Sequence, residues 1–143
     1  WPALAPAALV ALAAIALAPA DPVPASADRA EGALGAEPFS EDRLAALRAE
    51  RRPIFVYFTA DWCVTCKANE AGAIARAEVA EAFAANNVAV LVGDWTGGDP
   101  AIGRFLEAHG RSGVPLYLWY APGGEAEILP QVLTPGALTG LVG

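Results

Sequence analysis

Five apolar, strand-forming residues, Ile54-Phe55-Val56-Tyr57-Phe58, run directly into Thr59-Ala60-Asp61-Trp62-Cys63-Val64-Thr65-Cys66-Lys67, and no other stretch constrains the fold as tightly. A short run that is apolar at every position reads as a strand covered on both faces. Lys67 to Ala71 suits a helix. A strand that hands two cysteines to the first turn of a helix puts them on one face, because helical positions three apart are neighbours. The sulfurs can then close a small disulfide ring or open into a dithiol. Unpaired N–H groups and the positive end of the helix dipole favour a thiolate at the first cysteine. Cys63 is therefore expected to attack and Cys66 to resolve.

The competing uses of such a pair are weaker. A zinc site needs two more soft ligands, and besides these cysteines the chain offers only His109. A structural staple closing so short a ring removes little chain entropy. No metal and no cofactor is expected, although softness leaves copper(I) open for the two thiols. His109, alone near a helix C-terminus, reads as structural or surface.

Ala60-Asp61-Trp62-Cys63-Val64-Thr65-Cys66-Lys67 resembles the active-site segment of the C-terminal thioredoxin-like domain of DsbD, the membrane-bound thiol:disulfide interchange protein of the bacterial periplasm, and of the DsbD/ScsB-like family. The resemblance covers roughly residues 39 to 143, with a second anchor in Ser112-Gly113-Val114-Pro115, which is similar to the cis-proline loop of that fold. It implies an α/β thioredoxin-like fold, a central mixed sheet flanked by helices, and a redox-active Cys63–Cys66 disulfide. It also implies a cis Pro115 and a Val114 backbone offered to an extended substrate segment. Read without the resemblance, Pro115 is an ordinary trans proline opening a strand. The chain departs from the pattern at Tyr57, where the family usually carries a buried aspartate. Glu70 matches an acidic position of the family and, four residues after Cys66, shares its helical face. It is the remaining carboxylate to move protons at Cys66; a solvated surface glutamate is the equal alternative.

The direction of electron flow follows from charge. Val64 and Thr65 bring no cation between the cysteines, and Thr65 offers one weak hydrogen bond. Lys67 pulls toward thiolate, while Asp61 and Glu70 push against it. A poorly stabilised thiolate favours the disulfide and makes the better reductant. The expectation is a periplasmic disulfide reductase that exchanges with other thiol and disulfide proteins. The resemblance adds a membrane electron-donor domain as a partner. A disulfide oxidase or isomerase, and a non-catalytic adaptor or copper-binding module, remain as alternatives. Trp62 is expected as a partly exposed lid over the sulfurs, Trp95 and Trp119 as packing residues.

The remaining chain organises around this centre. Residues 1 to 20 carry no charge and ten alanines. The helix-compatible run Ala7 to Ala18 spans about 18 Å, short of a hydrocarbon core of about 30 Å. It reads as the end of a transmembrane helix or as the apolar part of an export signal, the resemblance favouring the first; both put the domain outside the cytoplasm, and the resemblance implies the periplasmic side of the inner membrane. Residues 21 to 38, rich in proline and alanine, form a linker. Residues 39 to 143 form the domain. A net charge of −7 argues against nucleic acid as a partner.

Within the domain, Ser40 caps a helix with Leu44, Leu47, Ala45 and Ala46 as its buried stripe. A helix over Ala77 to Ala85, a strand over Val88 to Val92, and a helix begun by Asp99-Pro100 follow. The expected ending is a strand at Leu116 to Tyr120, an edge strand at Glu127 to Leu129, and a helix from Pro135 to Val142.

Overall fold

The computed structural model describes residues 31–143. The apolar segment 1–20 and the linker as far as residue 30 lie outside the described residues. In chain order the elements are β1 (Glu37–Pro38), α1 (Glu41–Ala49), β2 (Ile54–Thr59), α2 (Val64–Asn69), a π-helical turn (Glu70–Ile74), and α3 (Ala77–Ala85). Then come β3 (Ala89–Asp94), α4 (Pro100–Ala108), β4 (Leu116–Tyr120), β5 (Ala126–Ile128) and α5 (Pro135–Thr139). The sheet order is β1-β3-β2-β4-β5, with β1 and β2 parallel to β3, and β2–β4 and β4–β5 antiparallel.

All six residues of β2 are buried, as a central strand covered on both faces requires. Alternation sorts them. Phe55 and Tyr57 join Val90, Val92, Tyr117 and Trp119 under Ile74, Phe83 and Leu138. Ile54, Val56 and Phe58 join Leu91, Leu116 and Leu118 on the other face, under Leu44 and Leu47 of α1 and Phe105 and Leu106 of α4. Ala45 and Ala46, expected in the α1 stripe, are exposed. The two leucines three apart suffice for a helix that touches the core along one line.

Side chains cap the helices where the sequence places cap residues. Ser40 Oγ accepts from Arg43 N at 3.0 Å, Asp99 Oδ1 from Ala101 N at 2.8 Å, and Thr134 Oγ1 from Ala137 N at 3.1 Å. Pro100 and Pro135 occupy first-turn positions, where a missing N–H costs nothing.

Several boundaries differ from expectation, among them that of β3, which runs Ala89–Asp94 rather than Val88 to Val92. The sheet begins at Glu37–Pro38, inside the stretch read as linker, because an edge pairing uses main chain and leaves no apolar signature. Phe39 secures it: its N–H donates to Val92 O at 2.8 Å, and its ring meets Phe58 and Phe105 at centroid distances of 4.8 and 4.7 Å. The edge strand ends at Ile128, since Leu129 turns into the core. The last helix ends at Thr139. Among the described residues no helix is long and apolar enough to cross a membrane.

Candidate active site

Strand β2 ends at Thr59, and four residues later Cys63 caps α2 with its own sulfur: Cys63 Sγ accepts from Cys66 N at 3.2 Å. Cys63 and Cys66 are joined in a disulfide with a Cα–Cα distance of 5.2 Å. The two ends of that bond differ in access. Cys63 keeps 8% of its surface and Cys66 none, so an incoming sulfur can reach only Cys63. Trp62 and Val64 on either side are 59% and 83% exposed. Two exposed apolar side chains thus bracket the accessible sulfur.

Val114 packs on Ala60, Cys63 and Cys66, and the Val114–Pro115 peptide is cis. The loop before β4 therefore faces the disulfide. Trp95 ties this loop to the rest of the site. A Cβ on Gly113 would lie 3.3 Å from its ring, Trp62 lies 6.2 Å from it between centroids, and its Nε1 donates to Asp99 O at 3.2 Å.

The charged residues form a chain running inward. Lys67 Nζ lies 3.7 Å from Asp61 Oδ1 and 3.0 Å from Glu70 Oε2. Side-chain exposure falls from 76% at Asp61 to 26% at Lys67 and 1% at Glu70. The alternative of a solvated Glu70 is thus excluded. Its second oxygen, Oε1, accepts from the hydroxyl of Thr59. The helix widens where Glu70 sits: Ala75 N donates to Glu70 O at 2.8 Å, an i+5 bond of the kind that recurs at functional sites.

Tyr57 is fully buried, and among the described residues its hydroxyl has no hydrogen-bond partner. Burial pushes its ionisation far above the usual phenol range, with the nearby Glu31 and Glu70 adding to the rise. It is a neutral space-filling group in the position of the expected carboxylate. Tyr117 is pushed up to about 12, first by burial and then by Glu70, against a lowering hydrogen bond from Asn69.

Three residues escaped the sequence reading. Asn69, 4% exposed, donates to Tyr117 Oη at 2.8 Å and to Gln131 O at 2.7 Å, and accepts from Leu133 N at 3.0 Å. It ties the active-site helix to the segment leading into α5. Thr96 accepts from Asp61 N at 2.9 Å through its hydroxyl and from Trp62 Nε1 at 3.2 Å through its carbonyl. Thr59 is the third. Their partners lie 11 to 64 residues away, beyond the reach of a local pattern. His109 stays apart from the site, its Nδ1 2.8 Å from Phe105 O and its ring against Phe105.

A family model described as thioredoxin-like matches residues 36–122. The thiol:disulfide interchange protein DsbD 2 of Pseudomonas aeruginosa is 33% identical over 90 residues, which are 62% of this chain and 15% of that protein. The chain thus spans a small part of that relative's length. Among solved structures, the oxidised C-terminal domain of Neisseria meningitidis DsbD superposes with a TM-score of 0.56 at 24% identity, covering 73% of this chain and 95% of that one. Trxlp from Edwardsiella tarda gives a TM-score of 0.56 at 23% identity, over 75% of this chain and 97% of that one. At these identities the structures speak for the fold.

Proposed function

Because the chain belongs to the thioredoxin-like family, we propose that it is a thiol:disulfide oxidoreductase working as a disulfide reductase on the periplasmic side of the bacterial inner membrane. The observation that carries this reading is the asymmetry of the Cys63–Cys66 bond. One sulfur is accessible, caps a helix and is faced by the cis-proline loop; the other is sealed. In the reduced domain Cys63 attacks a partner disulfide, forming a mixed disulfide and expelling one partner sulfur as thiolate. Cys66 then gives up its proton to Glu70 and attacks Cys63 Sγ, which restores the Cys63–Cys66 bond and releases the second partner sulfur. The partner gains two electrons and the domain loses two. A second thiol pair must return them, and the likeness to DsbD suggests a membrane domain as that donor, with the apolar segment 1–20 as tether.

Val114 and Pro115 would offer main chain to an extended partner segment, with Trp62 closing over it. The reductive direction draws on Lys67, the single cation of the active-site segment, which is engaged by Asp61 and Glu70 rather than left to stabilise a Cys63 thiolate.

Replacing Cys66 by serine should trap a covalent Cys63–partner complex, and replacing Cys63 should abolish it. Unchanged turnover with no trapped species would overturn the roles. Equilibration with glutathione tests direction separately: a potential near about −120 mV, that of a strong oxidant, would refute the reductase assignment.

A further inference from the structure

A buried carboxylate is costly unless its oxygens are paired and hydrogen-bonded. Glu70 meets that need unevenly. Oε2 faces Lys67, a flexible side chain that is 26% exposed and shared with Asp61. Oε1 faces the Thr59 hydroxyl, and Thr59 is 3% exposed. Thr59 is fixed independently of Glu70: it pairs with Asp94 in the β2–β3 register, and its carbonyl accepts from Trp95 N at 2.8 Å. The sheet therefore delivers the hydroxyl and the helix delivers the carboxylate. Along β2, Thr59 shares a face with Tyr57 and stands two residues nearer the cysteines. Among the described residues the Tyr57 hydroxyl has no hydrogen-bond partner, and on that strand face it is Thr59 that bonds to Glu70.

We infer that Thr59 is a positioning residue of the exchange reaction, its hydroxyl holding Glu70 in the orientation that takes the proton from Cys66. This rests on the exchange reading above. The proton leaves as Cys66 Sγ bonds to Cys63 Sγ; the Cys63–partner bond breaks and its electron pair departs on the partner sulfur. The groups facing Glu70 are Thr59 and Tyr57 from β2, Tyr117 from β4, and Lys67 from its own helix. Asp61 stands behind Lys67, and Glu31 lies near Tyr57. Burial keeps both phenols neutral over the working range, so their charge does not enter the pH dependence.

The test uses the full chain with both cysteines. A mixed disulfide is formed between the reduced domain and a fluorescent disulfide peptide, and its decay is followed from about pH 5 to 9. Thr59→Val should slow that decay about tenfold, as expected for losing a hydrogen bond to a charged group, and move the pH midpoint by about half a unit or more. Attack of Cys63 on a small disulfide should stay unchanged, and Thr59→Ser should restore the wild-type profile. In a Glu70→Gln background Thr59→Val should add nothing. Superimposed profiles for valine, serine and wild type overturn the inference, as does a serine variant as slow as valine. One measurement needs no variant: in the wild type the Thr59 hydroxyl proton should give a resolved, slowly exchanging resonance close to Glu70, and rapid exchange with water refutes the contact. Absence of any mixed disulfide in the wild type refutes the exchange reading itself; normal exchange with unchanged Thr59 profiles refutes only the positioning role.

Discussion

Asn69→Ala offers the sharpest measure of how the active-site helix is held. The side chain makes three hydrogen bonds, to Tyr117 Oη, Gln131 O and Leu133 N, from a position 4% exposed. At a net worth of about 1 kcal/mol each, their loss costs about 3 kcal/mol. The unpaired N–H of Leu133 and hydroxyl of Tyr117 push the cost upward, since both residues are buried. Against a typical total of about 5–15 kcal/mol, this is a large fraction. In urea, with a slope of about 1.5–2 kcal/mol/M, the oxidised variant should unfold with its midpoint about 1.5–2 M lower and its slope unchanged. Tyr117→Phe removes one of the three partners and should cost about 1 kcal/mol. The double variant should then fall short of the sum by a similar amount, because the shared bond is counted twice. A loss in Asn69→Ala below about 1 kcal/mol, or strict additivity, would refute the claim that these bonds anchor the segment into α5.

Gly93 is the register partner of Phe58, and a Cβ there would stand 2.4 Å from the Phe58 ring; Gly93→Ala should cost about 1–3 kcal/mol in urea unfolding, and a wild-type midpoint would show the ring free to move. Tyr117 is held neutral up to about 12, so its contribution is complete below the ordinary phenol value near 10 and lost as pH climbs through 12. The urea midpoint should therefore fall between about pH 10 and 12, with Tyr57 adding to the slope, and Tyr117→Phe should flatten the fall; an unaltered slope in that variant refutes the assignment. Trp62→Ala should change stability by less than about 1 kcal/mol, given the exposure of the ring, yet slow attack on a protein disulfide about tenfold while sparing a small one. Equal losses on both substrates would remove Trp62 from the partner surface.

Much of this architecture is legible in one dimension because local rules write it there. A both-faces-apolar run becomes central β2, Ser40, Asp99-Pro100 and Thr134-Pro135 mark helix starts, and Cys63-Val64-Thr65-Cys66 after a strand marks a redox pair at a helix tip. Each signal depends on the φ and ψ preferences or the side-chain period of a few adjacent residues, which the order of residues states outright. The burial of Glu70 was not of this kind. Spacing alone left it equally a surface glutamate, and only the sheet, by setting Thr59 against it, decided the matter. The same holds for Asn69 reaching Leu133 and for Thr96 clasping Asp61 and Trp62. A hydrogen bond to a distant residue is created by register and packing, so the local sequence carries the donor and the acceptor while the fold alone chooses the pair.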